Sequence, residues 1–261
     1  MHQVEDTIGV TRISSAGVEA SVTDTSLQPS LEKQTAFAIA EGVERLHPTL
    51  RNPDYLVLTE RRKLLATWIE TLPKEPLQVL DVGGRIQPYR PLLEGRLGTY
   101  IAVDPLATKL VNAVAVGERL PFAAACFDLV ICTQMLCYST NPFEVVQEIH
   151  RVLKPGGGLL LSSPAIFPKH AEHDRWRFFP SGLQLLLQEF SHVEVVAEGN
   201  SVAATCRMIA VGLDQCLTGG LPHRLASSLL IPLTNRFGRC FDKLNRGDTR
   251  FTTNYCAFAR K

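Results

Sequence analysis

The run Leu77-Gln-Val-Leu-Asp81-Val-Gly83-Gly84-Arg85 constrains this chain more than any other stretch. Val79, Leu80 and Val82 read as a buried strand, and Asp81-Val82-Gly83-Gly84 is where such a strand breaks into a tight turn that exposes backbone. A carboxylate beside glycines at the carboxyl end of a parallel strand is where open α/β sheets bind ligands. Leu77 to Tyr89 is therefore the expected ligand corner of a sheet with helices on both faces.

What the turn lacks narrows the ligand. A dinucleotide turn needs Gly-x-Gly-x-x-Gly so that backbone N–H groups can approach a pyrophosphate. Counted from Gly83, the later positions hold Arg85 and Pro88, and the pattern fails. Asp81 would repel a phosphate but favour a cation carrying an ammonium and a sulfonium. S-adenosylmethionine is such a ligand.

Further landmarks follow in order. They are Tyr100-Ile-Ala-Val-Asp104, Leu120-Pro-Phe122 with Phe127-Asp-Leu-Val-Ile-Cys132, and Val152-Leu-Lys-Pro-Gly156-Gly157-Gly158. With the Asp81 turn, this succession resembles the class I S-adenosylmethionine-dependent methyltransferases over roughly Leu77 to Val196. The resemblance implies a Rossmann-like α/β fold of three layers around a seven-stranded, mostly parallel sheet, in the order 3-2-1-4-5-7-6 with the last strand antiparallel. It implies methyl transfer with S-adenosylmethionine as cofactor: Asp81, Gly83 and Gly84 at the methionine moiety, Asp104 on the ribose hydroxyls, and Thr133 and Gln134 beside the transferring methyl. Val116 stands where many members carry an adenine-binding aspartate, so adenine falls to Gly117 and Glu118. Arg85 replaces the family's usual third glycine and is a candidate partner for the cofactor carboxylate.

The stretch Ala165 to Pro180 lies just beyond the fifth expected strand and is polar and aromatic, so it is expected to overhang the same crevice. Its His/Asp followed by Trp-Arg-Phe is similar to a bacterial, type-11-like subgroup of these methyltransferases associated with glycan or surface-polysaccharide assembly. That resemblance implies a hydroxyl acceptor on a glycan, a lipid-linked sugar or a small molecule. His173 and Asp174 are the candidate general base, and Arg175, Trp176 and Arg177 the candidate substrate contacts, since such groups hydrogen-bond and stack hydroxylated molecules. Anchoring of the loop is an equal alternative for Trp176 and Phe178. No metal site is expected, because His170, His173 and Asp174 have no paired second cluster.

Around this centre the expected organisation is a disordered tail over residues 1–30, a helical extension over 31–76 and the methyltransferase domain over 77–261. Leu31 to Leu46 is expected to be helical with Phe37, Ile39, Ala40, Val43 and Leu46 inward, and His47-Pro48 to end it. Tyr55 to Leu72 is the next helix, with Leu58, Leu64, Leu65, Trp68 and Ile69 inward and Glu60-Arg61-Arg62-Lys63 on a solvated face. Residues 201–250 are expected to be a helical insertion before the last strand. Its segment 222–246 is apolar on one face and rich in Arg and Lys, compatible with an anionic membrane surface, a lid, a sheet edge or a dimer partner.

The composition excludes little and agrees with this picture. A net charge of +1 gives no electrostatic reason to expect nucleic acid. Seven cysteines without a Cys-x-x-Cys pair suggest reduced thiols and a cytoplasmic protein, peripheral to the membrane at most. The first residues lack the pattern of a secretory signal, and no apolar run approaches the roughly 18 residues of a membrane span. Two rival classes stay open: a non-catalytic methyltransferase-like binding module, and a nicotinamide-dependent oxidoreductase, which the broken glycine pattern disfavours. Oligomeric state cannot be read from these residues.

Overall fold

The computed structural model describes residues 30–242 and 247–261. The expected tail, apart from Ser30, and residues Lys243, Leu244 and Arg246 of the expected basic helix lie outside the described residues.

Two helices precede the sheet. α1 spans Leu31–Leu46, begins where the Ser30 hydroxyl accepts from Lys33 N, and stops at His47 before Pro48. α2 spans Tyr55–Glu70. Then follow β1 Leu77–Val82, β2 Leu97–Asp104, β3 Ala113–Val114, β4 Phe127–Thr133, α3 Pro142–Val152, β5 Leu153–Pro164, α4 Pro180–Leu186 and β6 His192–Ala197. The chain closes with α5 Ser201–Cys216, α6 Gly220–Leu225, a π-helical turn Ala226–Leu230, α7 Ile231–Asp242 and β7 Asn254–Arg260.

The strands form one seven-stranded sheet in the order β3-β2-β1-β4-β5-β7-β6. β1, β2, β3, β4 and β5 run parallel, and β7 lies antiparallel between β5 and β6. Fold class and strand order agree with the sequence expectation. Alternation along the strands sends side chains to two cores. Leu80, Val82, Val130 and Leu161 meet α3 and α4 on one face; Val79, Ile131, Leu160 and Phe258 meet Leu65, Trp68 and Ile69 of α2 on the other.

Three sequence expectations need correction. In α1 the packed residues are Thr35, Ala38, Gly42 and Leu46, while Phe37, Ile39, Ala40 and Val43 are exposed. Gly42 decides the face: a Cβ there would stand 2.4 Å from the Ile86 carbonyl oxygen, so α1 lies against the loop after β1 on its smallest residues. In α2, Arg61 is not solvated but 3 % exposed. The expected helical segment over 222–246 is, within its described residues, divided into α6, the π turn and α7, which bury Ala226, Ile231, Asn235 and Gly238 and leave the leucine and phenylalanine row outside.

Candidate active site

β1 and β2 end side by side, with Asp81 paired to Ala102 and Val82 to Val103. The turn is closed by Gly83 N and Gly84 N, which both donate to Val103 O at 2.8 and 3.0 Å. Gly83 adopts φ +79, and a Cβ there would meet Met135 Cγ at 2.8 Å; a Cβ on Gly84 would meet Asp81 Cγ at 2.7 Å. Glycine is thus required twice, once for its backbone and once for space.

These strand ends surround a cavity of about 120 Å³ that Asp81, Gly83, Arg85, Asp104, Thr133 and Gln134 help to line. Arg45 of α1, Ile86, Pro88, Met135 and Tyr138 complete its walls. Asp81 is buried and accepts from Tyr100 Oη at 2.6 Å. Burial pushes its carboxyl up to about 7, against the Tyr100 hydrogen bond and with help from Asp104. Asp104 accepts from Leu106 N at 2.8 Å, and burial raises it too, opposed by that bond and by the Arg85 charge. Two desolvated carboxylates at adjacent strand ends, over a glycine cradle, make a place where a cation is favoured and a diol finds acceptors. The donor set therefore fits S-adenosylmethionine. The volume is below the roughly 300–1,000 Å³ of ligand pockets, so a ligand of that size needs its lining side chains to shift.

Gly117 and Glu118 stand elsewhere. A Cβ on Gly117 would meet Met135 Cε at 2.7 Å, which makes it a packing glycine. Glu118 Oε1 accepts from Thr140 N at 2.7 Å and from Asn141 N at 3.4 Å, tying the loop after β3 to the start of α3. Neither lines the small cavity.

A larger cavity of about 310 Å³ adjoins it, and Arg45, Gln134 and Tyr138 line both. Its walls come from α1, α2, the segment after β5 and α5. The segment Ala165 to Pro180 overhangs the crevice as its position beyond a strand end suggested, but its residues divide differently from expectation. His173 is exposed and lines neither cavity; Arg175 Nη1 donates to its carbonyl at 3.2 Å. His170, three residues earlier, is the histidine that reaches the wall. Asp174 does line it, yet its carboxylate is taken by Arg177 and by His170 N, and the Arg177 contact above all holds it below the usual carboxylate range. A carboxylate so engaged is a weak base. Arg175 and Trp176 fasten the loop, donating to Tyr138 O and Ser139 O at 2.9 Å each, so the anchoring alternative describes Trp176. Only Arg177 of the three candidate substrate contacts lines the crevice.

A buried polar network behind Gln134 was not foreseen. Arg61 and Glu198 form a bidentate pair, Nε to Oε1 and Nη2 to Oε2, both 2.9 Å. Glu198 Oε1 also accepts from Ser162 Oγ at 2.7 Å and from the Cys256 thiol at 2.8 Å. An ion-paired carboxylate only accepts, so the Ser162 hydrogen must point at Glu198 and Ser162 Oγ must accept from its other neighbours. Those are Gln134 Nε2 at 2.8 Å and Asn254 Nδ2 at 3.1 Å. Gln134 Nε2 is thereby committed, which leaves Oε1, unpaired among the described residues, as the available acceptor of a residue that borders both cavities. Gln134 is held in this place by φ +56 and by its N–H on Ser162 O at 2.8 Å. A cue existed only in hindsight: a polar Gln, Ser, Glu and Asn each sit at the end of an apolar strand.

Comparison with known proteins agrees with this geometry. Residues 80–161 match the family model described as "Methyltransferase domain". The malonyl-[acyl-carrier protein] O-methyltransferase 1 of Coxiella burnetii is 38% identical over 141 residues, which are 50% of this chain and 50% of that protein. The thiol S-methyltransferase TMT1B of Rattus norvegicus is 32% identical over 90 residues, 31% of this chain and 37% of its own length. The chain thus spans half or less of the length of these relatives. Among solved structures, the complex of the Haloferax volcanii Trm112 methyltransferase activator with a methyltransferase aligns at TM-score 0.50 and 16% identity, over 90% of this chain and 99% of that one.

Proposed function

We propose that this chain, which belongs to the class I S-adenosylmethionine-dependent methyltransferases, is an enzyme that moves a methyl group from S-adenosylmethionine to an oxygen or nitrogen of a small-molecule acceptor in the 310 Å³ cavity. The observation that carries this reading is the junction at Gln134 and Tyr138, where the cavity with the two raised carboxylates meets the larger one. The bound cofactor supplies an electrophilic methyl on a sulfonium, so the protein's task is mainly alignment and removal of a proton.

Asp81 and Asp104 would hold the cationic and ribose parts of the cofactor, and Arg85 would pair with its carboxylate. Gln134 Oε1 receives a hydrogen from the acceptor and orients its nucleophile. His170, at the wall, is the residue placed to take a proton. Cys137 also lines the crevice, but burial pushes its thiol up to about 12, so it stays protonated and is no nucleophile. A sugar acceptor loses its main motive, because Arg175 and Trp176 are spent on the loop after β4. A small molecule suits the volume better.

A second part of the proposal concerns location. Leu221, Leu225, Leu229, Leu233, Phe237 and Phe241 recur every fourth residue and are 42–68% exposed, beside exposed Arg224, Arg236 and Arg239. A basic helix face of this kind suits an anionic lipid surface. Among the described residues no helix is long and apolar enough to cross a membrane.

Calorimetric titration with S-adenosylmethionine and S-adenosylhomocysteine tests the core of the reading. Micromolar binding is expected in the wild type, with loss in Asp104→Ala and a weakening of about 1.5–3 kcal/mol in Arg85→Ala. A folded wild type that binds neither compound overturns it in favour of a binding module without turnover.

A further inference from the structure

The wall of the larger cavity includes a side chain with a donor that no described residue accepts. Arg207 of α5 lines it and is nearly inaccessible, yet its Nη1 is buried without a hydrogen-bond partner. The rest of the guanidinium is fixed. Nε and Nη2 both reach Asp54 Oδ1 at 2.8 Å, and the plane stacks on Phe167 with Cζ 4.5 Å from the ring centroid. An unpaired N–H on a buried cation is costly, and an incoming acceptor oxygen removes that cost.

The other arginines of the wall are already matched. Arg45 has Glu41, Arg61 has Glu198 and Arg177 has Asp174. Arg207 differs in a second way, because its partner Asp54 is one-third exposed while its own side chain is 5% exposed. Solvent therefore screens the anion of this pair more than its cation. Charge-assisted bonds from arginine to a carboxylate or similar oxyanion are the strong ones.

We infer that the methyl acceptor is an acid, whose carboxylate or equivalent oxyanion pairs with Arg207 Nη1 while its nucleophilic O–H or N–H is directed to Gln134 Oε1. This rests on the reading of the chain as a methyltransferase whose acceptor occupies that cavity. The cavity wall then offers a donor at Arg207, an acceptor at Gln134 and the apolar Val57, Leu58 and Phe167 to meet the acceptor's body. It selects against neutral analogues because they offer Arg207 Nη1 only an uncharged, weaker acceptor.

The test uses two isosteric probes, 4-hydroxybenzoate and 4-hydroxybenzamide, titrated by ligand-observed NMR into the full chain in the presence of S-adenosylhomocysteine. The carboxylate is expected to bind about tenfold more tightly than the amide. Arg207→Met should abolish the preference. Asp54→Asn, which removes the competing anion, should enlarge it. Equal binding of the two probes, binding of neither at millimolar concentration, or a preference that survives Arg207→Met overturns the inference. Circular dichroism shows whether each variant is folded, and if Arg207→Met is not, the response of Asp54→Asn decides alone. Titration of S-adenosylhomocysteine by itself reads the separate cofactor cavity: binding there with no acid preference sinks only this inference, and no binding there sinks the methyltransferase reading.

Discussion

Asp81 shows how much chemistry a single residue can carry. Its carboxyl sits at about 7 because burial opposes its charge more than the Tyr100 hydroxyl supports it, and Asp104 adds repulsion. A cationic ligand reverses that balance and favours the ionised form. If ligand binds only that form, affinity for S-adenosylmethionine should be about tenfold tighter at about pH 8 than at about pH 6, and Asp81→Asn should flatten the profile. Calorimetry across pH checks it; a flat profile in the wild type removes Asp81 from the binding equilibrium. Stability of the ligand-free protein runs the other way. The folded state holds the proton more tightly than the unfolded chain, so this contribution is fully present below about pH 3.8 and is lost as pH rises through about 7, a change of about 4 kcal/mol. Residues of this kind were legible before the structure. Asp81, Gly83, Arg85, Asp104, Thr133 and Gln134 all line the small cavity, because each lies within three residues of the end of a strand whose apolar run marks its place. Arg45, Asp54 and Arg207 were not legible, since only tertiary packing brings α1, the start of α2 and α5 to one wall.

At the scale of elements, α2 is tied to the far edge of the sheet by charge as well as by packing. A run such as Glu60-Arg61-Arg62-Lys63 reads as solvated, and Glu60, Arg62 and Lys63 do lie at or near the surface. Arg61 differs because its position on the helix points it at the end of β6, where Glu198 has no other cation among the described residues. Sequence periodicity sees the helix but not its partner 137 residues away. Breaking one side of a buried pair leaves an uncompensated charge, and Arg61→Met should therefore cost about 3–5 kcal/mol. Urea denaturation measures this. The double variant Arg61→Met, Glu198→Leu should recover much of the loss, although Ser162 and Cys256 then lack their common acceptor. If the single variant costs less than about 1 kcal/mol, the pair is not what fastens α2. The double variant also releases the direction of the hydrogen-bond chain to Gln134, which separates its effect on stability from its effect on ligand binding.

For the whole molecule, the two cavities open at the carboxyl ends of the strands, whereas α6 and α7 present an apolar row that stays 42–68% exposed. In a chain folded around a sheet, helices normally turn such a row inward. Here the small residues Ala226 and Gly238 take the inner side instead: a Cβ on Gly238 would meet Leu56 Cδ1 at 2.6 Å and Cys206 Cβ at 3.0 Å. The π turn at Ala226–Leu230 shifts the register between α6 and α7, yet residues on both sides of it remain outward. Fully burying a leucine or phenylalanine is worth roughly 1.5–3 kcal/mol. Six that are about half exposed supply on the order of 5 kcal/mol on a lipid surface, and each arginine adds about 1 kcal/mol near anionic headgroups. The protein should therefore co-sediment with phosphatidylglycerol vesicles far more than with phosphatidylcholine vesicles, and high salt should weaken the association. Leu229→Glu and Phe237→Glu, both exposed, should abolish it while changing stability by no more than about 0.5 kcal/mol. A protein that ignores both vesicles, but forms a dimer in light scattering that the same substitutions dissolve, would make a second copy the cover of this face. The helical insertion would then serve assembly, with no role in bringing the crevice to a membrane-borne acceptor.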